Sequence, residues 1–375
     1  MSDVEFKEGL EDVVAGTSEI CFIDGKEGRL VYRGYSVEDL AEQTSFEEVV
    51  YLLWEGQLPN RSQLQDFTKT LTAMRSLAQP VYDLLMSLPD NTNPMDALRT
   101  AVSLAGIYDP DSHDNSYEAS YRKAMRLVAQ VPTMVAAFER HHQGHDPVAP
   151  DAQLSLAENF LYMLTGKRPP ALDAHVFNTA LVLHADHELN ASTFAARVTA
   201  ATLTDLYSAV TSAVGTLKGP LHGGANEQVM VMLEKIGTVD NVKPWLDHAL
   251  ANREKIMGFG HRVYKTEDPR ATILRRLSHD LGEKAQNLHY YDMLEAVRQH
   301  IQAKKALYPN VDFYSGSVYA LMGIPSELFT PVFAVSRIAG WTAHILEQYR
   351  HNRIIRPRAD YTGPEHRTFV PLDQR

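Results

Sequence analysis

Between residues 18 and 35 two short apolar runs flank a polar turn. Ile20-Cys21-Phe22-Ile23 and Leu30-Val31-Tyr32 enclose Asp24-Gly25-Lys26-Glu27-Gly28, which predicts a β-hairpin. Beyond it the apolar positions recur at helical spacing. Ser45, with Glu48 three residues on, predicts a capping box ahead of Val49-Val50-Tyr51-Leu52-Leu53-Trp54, with Gly56 as the stop. Asp268-Pro269 supplies an N-cap and a first-turn proline for a helix over 271–281, ended by Gly282. Thr330-Pro331 does the same for a run through Gln348. The longest stretch without a breaker, 190–215, is apolar or small on most faces and predicts one long helix buried inside a bundle. Loops are expected at 89–94, 109–116, 143–151 and 215–224, the last being the candidate interdomain hinge because glycine absorbs large dihedral changes. The fold class is therefore all-α and multi-helical, with one small N-terminal β-hairpin.

Composition narrows the class. A chain of 375 residues suggests two domains, or one large domain with an insertion. A hydrophobic share of 44% is ample for a core and excludes wholesale disorder. Lys and Arg number 36 against 47 Asp and Glu, and a net charge of −11 argues against nucleic acid as a partner. The single cysteine, Cys21, forms no intramolecular disulfide and no thiolate zinc site, which favours a reducing compartment. Residues 1–14 are acidic and lack an apolar signal-peptide segment. The longest apolar stretch, 174–185, is interrupted by His175 and Asn178 and falls short of a membrane span. The expectation is a cytoplasmic protein that neither enters nor spans a membrane.

Three segments set reactive side chains beside glycines. The first, Lys218-Gly219-Pro220-Leu221-His222-Gly223-Gly224-Ala225-Asn226, puts His222 just before a helix. A helix N-terminus lowers an imidazole's pKa, so a neutral His222 can donate to a carbonyl oxygen that becomes an enolate; it can equally be a plain cap on a glycine turn. The second, Met257-Gly258-Phe259-Gly260-His261-Arg262-Val263-Tyr264-Lys265, lets the backbone approach a ligand closely but is no dinucleotide fingerprint, lacking the third glycine. Around it, 252–270 holds five basic residues (Arg253, Lys255, Arg262, Lys265, Arg270) against three acidic ones (Glu254, Glu267, Asp268), which suits an anionic ligand or an ordinary solvated run. The third, Pro309-Asn310-Val311-Asp312-Phe313-Tyr314-Ser315-Gly316, sets Asp312 among apolar neighbours, where it is either a helix N-cap or a carboxylate basic enough to deprotonate carbon.

Arginines form a second pattern. Arg337 lies in a largely apolar helix and wants a buried anion. With Arg270 and Arg356 it offers forked donors suited to a dicarboxylate, whereas Arg358 reads as surface salt bridging. His184 and His187, at i and i+3, offer one helix face to zinc, but the order H-x-x-H-E matches neither zincin signature and no cysteine completes a site. His187 is better read as a donor to an anion. His141, His142 and His145 sit in a polar, exposed stretch.

Taken together the segments resemble the citrate synthase family. The strings are LHADHELNA (183–191), LKGPLHGGAN (217–226), KIMGFGHRVYKTEDPR (255–270), PNVDFY (309–314), SRIAGWTAHILE (336–347) and IRPRADYTG (355–363), with YRGYSVEDL and EVVYLLWEGQLP near the start. The likeness covers nearly the whole chain, in family order. It implies a homodimer of two helical domains, 1–221 with 319–375 and a smaller 222–318 closing over the substrates. It implies Asp312 as the base on the methyl group of acetyl-CoA, His222 as donor to the thioester oxygen and His261 as donor to the ketone of oxaloacetate. His187, Arg270 and Arg337 match the oxaloacetate set, and Arg356 the arginine that reaches the neighbouring subunit's site. Lys255, Arg262 and Lys265 fall in the coenzyme segment; Lys265 stands where many relatives carry Arg, so its phosphate contact lacks a fork. Acetyl-CoA is then a substrate, with no cofactor and no metal. No extra N-terminal regulatory domain is seen, which suggests a simple dimer without elaborate effector control. The rival readings are a 2-methylcitrate synthase using propionyl-CoA, a zinc-dependent hydrolase built on His184 and His187, and a non-catalytic helical binding protein.

Overall fold

The computed structural model describes residues 7–11 and 13–375; the acidic stretch at 1–14 thus lies partly outside the described residues. The hairpin forms as predicted. β1 (Cys21–Asp24) pairs antiparallel with β2 (Arg29–Tyr32), Cys21 opposite Tyr32 and Asp24 opposite Arg29. Asp24 Oδ1 accepts from the backbone of Lys26 and Glu27 and so shapes the turn. A third strand, β3 (Tyr35–Ser36), folds back on β2; two residues are too few for an alternation to show.

Beyond the sheet the structure is helices joined by loops, and 61% of the described residues are helical. The first eight helices are α1 (Val37–Gln43), α2 (Phe46–Glu55), α3 (Arg61–Ala73), α4 (Gln79–Ser87), α5 (Pro94–Ile107), α6 (Tyr117–His142), α7 (Leu156–Thr165) and α8 (Ala171–His184). Then come α9 (Ala191–Ala200), α10 (Leu206–Leu217), α11 (Ala225–Ile236), α12 (Val239–Ala251), α13 (Pro269–Lys284), α14 (His289–Lys304), α15 (Val311–Leu321) and α16 (Phe329–Arg350). The Ser45–Glu48 capping box opens α2, and Gly56, left-handed at φ 82°, closes it. Asp268 caps α13 with Pro269 in its first turn. No helix among the described residues is long and apolar enough to cross a membrane.

Several boundaries differ from expectation. The 190–215 stretch is two helices: the chain breaks at 201–205, Leu203 turns left-handed (φ 62°) and Asp205 caps α10. The pattern hides the break because α9 and α10 pack against each other and both need apolar faces. Gly282 lies inside α13 rather than ending it; a Cβ there would sit 2.8 Å from Leu288, so glycine lets the chain turn back closely. α16 starts at Phe329, so Thr330 is within the first turn and not the cap. Gly215 belongs to α10, and the turn before α11 begins at Lys218. His141 and His142 end α6 while His145 is in the following loop, all three exposed.

Two features position the site. α16 is buried along almost its whole length and is contacted by α2, α5, α6, α8, α9, α10 and α11. Helices α11–α15 pack largely on one another and meet the remainder through α1, α8 and α16.

Candidate active site

The loop after α8 is gripped by α16. The Gly340 N–H donates to Ala185 O (3.0 Å), and Arg337 Nε donates to His184 O (2.8 Å). A Cβ on residue 340 would lie 2.3 Å from Asp186 Oδ1, so only glycine permits this approach. α8 ends at His184, which places His187 in the loop; the two histidines do not share a helix face as expected. His184 Nδ1 donates to Ala180 O (2.8 Å) along its own helix. Among the described residues the only trio of candidate metal ligands is His279, Asp280 and Glu283 on α13, so His184 and His187 acquire no third ligand.

Arg337 is fully buried, stacks over Phe333 at 4.6 Å and has no carboxylate partner among the described residues. Burial pulls its guanidinium down to about 10, while Asp186 pulls the other way. Arg270 is held by its own helix cap: Asp268 accepts from Arg270 Nε (3.0 Å) and Nη2 (2.8 Å), both side chains being buried. Though burial works against the charge, Asp268 keeps that guanidinium above its ordinary value.

Three imidazoles face these arginines, all held neutral. His187 is buried with Nε2 unpartnered; burial, then Arg270 and His261, push it well below the usual histidine range. His261 stands edge-on to it, ring centres 5.1 Å apart, and is pushed down to about 4 by burial and Arg270. Its Nδ1 accepts from the backbone N–H of Val263 (3.0 Å) and Tyr264 (3.1 Å), so the proton sits on Nε2, which is left free to donate. His222 is arranged conversely. Its Nε2 accepts from Ser192 N–H (3.2 Å) and lies 2.8 Å from Ser192 Oγ, so its proton is on Nδ1. It too is pushed down to about 4, by burial and then by Arg337.

Asp312 is the second residue of α15, and Asn310 does the capping instead, its Oδ1 accepting from Asp312 N–H (3.1 Å). The carboxylate therefore has no hydrogen-bond partner among the described residues, and burial lifts its pKa to about 6 against the pull of Arg270 and Arg337. The loops bearing His261 and Asp312 are stitched together. Gly260 N–H reaches Tyr308 O (3.1 Å), Asn310 N–H reaches Gly258 O (2.9 Å) and Asn310 Nδ2 reaches Gly260 O (3.0 Å). Gly258, at φ 78°, serves this seam and not a ligand, since a Cβ would meet Phe313 at 2.6 Å. Arg270 thus acts on His187, His261 and Asp312, and Arg337 acts on His187, His222 and Asp312.

The remaining candidates lie outside this cluster. Lys255, Arg262 and Lys265 are exposed; Lys265 touches the hairpin through its N–H to Gly25 O (2.8 Å). Arg356 is exposed and lines a separate cavity of about 850 Å³ with Leu189, Arg197 and Glu347. Within one chain it does not join Arg270 and Arg337.

Residues 9–358 match the family described as citrate synthase, C-terminal domain. This chain belongs to the citrate synthase family. It is 52% identical to citrate synthase 2 of Bacillus subtilis over 368 residues, 98% of each chain. A 2-methylcitrate synthase 1 of Corynebacterium glutamicum is 42% identical over the full length of both. Among solved structures, citrate synthase from Pyrobaculum aerophilum superposes with a TM-score of 0.93 at 43% identity, covering 98% of this chain and 95% of that one. Citrate synthase of Thermoplasma acidophilum, in a ternary complex with carboxymethyl coenzyme A and oxaloacetate, gives 0.93 at 35% identity, covering 98% and 99%.

In this citrate synthase family member the cluster also contains residues that the motifs did not single out. Ser192 sets the His222 tautomer and is itself held by Trp341 Nε1 (3.0 Å) and Asn190 Oδ1 (2.8 Å). Tyr264 packs on both His187 and His261 with its hydroxyl buried and unpartnered. Asn190 and Ser192 carry a helix-start signature; nothing local ties Ser192 to a histidine 30 residues away.

Proposed function

We propose that this chain is a citrate synthase that condenses acetyl-CoA with oxaloacetate and water to give citrate and CoA. The observation that carries the reading is one unpartnered carboxylate with a pKa of about 6 and two imidazoles, each fixed in the tautomer that leaves one N–H free, all within reach of the charge of Arg270 or Arg337, the latter having no carboxylate partner among the described residues. Arg337, Arg270 and His187 take the carboxylates of oxaloacetate. His261 Nε2–H polarises its ketone. Asp312 removes a proton from the acetyl methyl group while His222 Nδ1–H holds the thioester oxygen, so the negative charge never develops unsupported. The enolate carbon bonds to the ketone carbon as the new alkoxide takes the Nε2 proton of His261, and the proton that Asp312 removed from the methyl group passes through water to restore the imidazole, which leaves Asp312 ionised again. Water then attacks the thioester carbonyl and CoA leaves as the thiol. Neutral imidazoles suit both donor tasks, because a pKa of about 4 keeps each uncharged at working pH.

Residues 222–318 form the domain that closes over the substrates and excludes water; the packing of α11–α15 on one another supports this. Lys255, Arg262 and Lys265 bind CoA phosphates from its rim. The active form is a cytoplasmic homodimer in which Arg356 enters the neighbouring site. Exposed Ile354, Tyr361, Phe369 and Leu372 support a second copy, since such apolar side chains are normally covered. No step requires a metal ion, so a chelator leaves turnover unchanged. Free thiol released from acetyl-CoA on adding oxaloacetate tests the reading; no oxaloacetate-dependent thiol would refute it. The 42% identity to a 2-methylcitrate synthase keeps propionyl-CoA as a second acyl donor, because one methylene discriminates by only about 1–3 kcal/mol. The ratio of kcat/KM for the two thioesters decides, and the acetyl donor is expected to be preferred.

A further inference from the structure

Asp186 sits directly behind the anion site yet touches none of the groups assigned to substrate. Its carboxylate is completely buried. Oδ2 accepts from Glu188 N–H (3.2 Å) and lies 3.3 Å from His344 Nε2, while Oδ1 has no partner among the described residues. His344 Nδ1 is 3.1 Å from Arg197 Nη1. A guanidinium only donates, so Nδ1 accepts and the ring proton is on Nε2, aimed at Asp186. Arg197 is anchored in turn by Glu347 (2.6 Å) and Gln348 (3.1 Å), and Glu347 also accepts Glu19 N–H (2.9 Å). A polar chain thus runs from the largely buried Glu347, at the edge of the cavity of about 850 Å³, through Arg197 and His344 to Asp186.

We propose that the Arg197–His344–Asp186 chain is a positioning device for the oxaloacetate site, holding His187 and Arg337 in place while leaving the Arg337 fork free. A buried guanidinium needs a nearby anion, but an anion in direct contact would occupy the donors that substrate must use. Asp186 meets both demands. It acts on Arg337 through space, and the Arg337 ion pair is left for the ligand. It also fixes the turn that carries His187, through Glu188 N–H at φ 54° and the close contact with Gly340. His344 is what keeps Asp186 in register, since no Lys or Arg pairs with it among the described residues.

The inference rests on the citrate synthase reading, and wild-type turnover separates the two: oxaloacetate-dependent thiol release with no effect of the relay variants condemns the relay alone. His344→Ala is expected to raise the oxaloacetate Kd, titrated calorimetrically without acyl donor, by about tenfold, a typical size for one lost positioning contact. KM for acetyl-CoA should change less than about twofold, and His344→Gln, whose amide N–H reaches where Nε2–H does, should recover much of the loss. Glu347→Gln, at the accessible end, should give a smaller rise of about twofold and reads out the relay if His344→Ala does not fold. Unchanged oxaloacetate binding in the folded variants would overturn the proposal. So would equal losses for both substrates with no recovery in His344→Gln.

Discussion

Asp312 and the imidazoles beside it are driven toward their neutral forms by one cause, burial, and the chemistry needs that result only from the imidazoles. His222 and His261, at about 4, stay neutral throughout the working range, whereas Asp312, at about 6, must lose its proton to act as base. The acid limb of kcat/KM therefore belongs to Asp312: activity should be about half-maximal near pH 6, fall about tenfold per pH unit well below it and level off above about 7. A limb centred on an ordinary carboxylate pKa would contradict this. Asp312→Asn preserves the Asn310 cap on its own N–H and should lower kcat by about 10³-fold with oxaloacetate binding intact. Stability runs the same way with pH for a different reason. The native imidazoles refuse protons that the unfolded chain accepts below the ordinary histidine value, so stability present above about 6.5 is lost as pH falls toward 4. Asp312 opposes this, since between about 6 and its ordinary value of 3.8 the native state binds the extra proton. His184 and His187, depressed as well, leave the histidines in the majority. The unfolding free energy from urea titrations should fall between pH 7 and 5, by about 1.4 kcal/mol per pH unit for each excess proton the unfolded chain binds.

At the scale of elements, one cap and one glycine both cost stability on substitution, but only the glycine affects substrate binding. Ser45→Ala removes a capping box remote from the site and should cost about 1 kcal/mol with kcat and KM unchanged. Gly340→Ala would by helix propensity gain up to about 1 kcal/mol within α16. The new Cβ, however, meets Asp186 Oδ1 at 2.3 Å and Ala185 O at 2.5 Å, both backed by packed structure, and overpacking of this kind costs about 1–3 kcal/mol. The clash should win: a lower Tm together with weaker oxaloacetate binding, because the displaced loop carries His187. The same two positions show what the sequence made legible. The Ser45–Glu48 box was readable because both partners lie within one turn, and the hairpin because its alternation and its turn are adjacent. The break at 201–205 was not, since α9 and α10 keep apolar faces on both sides of it; Asp205 was the one local signal. Asn310 and Asp312 are two residues apart, and composition alone could not say which caps; the backbone did. His222, His261 and Asp312, on three distant stretches, were visible by chemical type and family likeness, whereas the Ser192–His222 and His344–Asp186 contacts join positions 30 and 158 residues apart and carry no local signature.

At the scale of the molecule, a single chain assembles Arg270, Arg337 and His187 but leaves Arg356 exposed, on a terminal segment without regular structure. If Arg356 serves the neighbouring site, the loss from Arg356→Gln and the loss from Asp312→Asn fall on different subunits of a mixed dimer. In such a dimer one site has the Asp312→Asn carboxamide and also lacks its arginine, while the other has a normal Asp312 and receives a normal Arg356. Isologous dimers mixed at random are half heterodimers, each with one intact site of two, so two nearly inactive variants, unfolded and refolded together in equal amounts, should recover about a quarter of wild-type turnover. Were Arg356 to serve its own chain, the heterodimer would hold one site of each defect and the mixture would be no more active than the separate variants. The recovery should disappear on dilution below the dimer's dissociation constant, which separates exchange of subunits from residual activity of either variant.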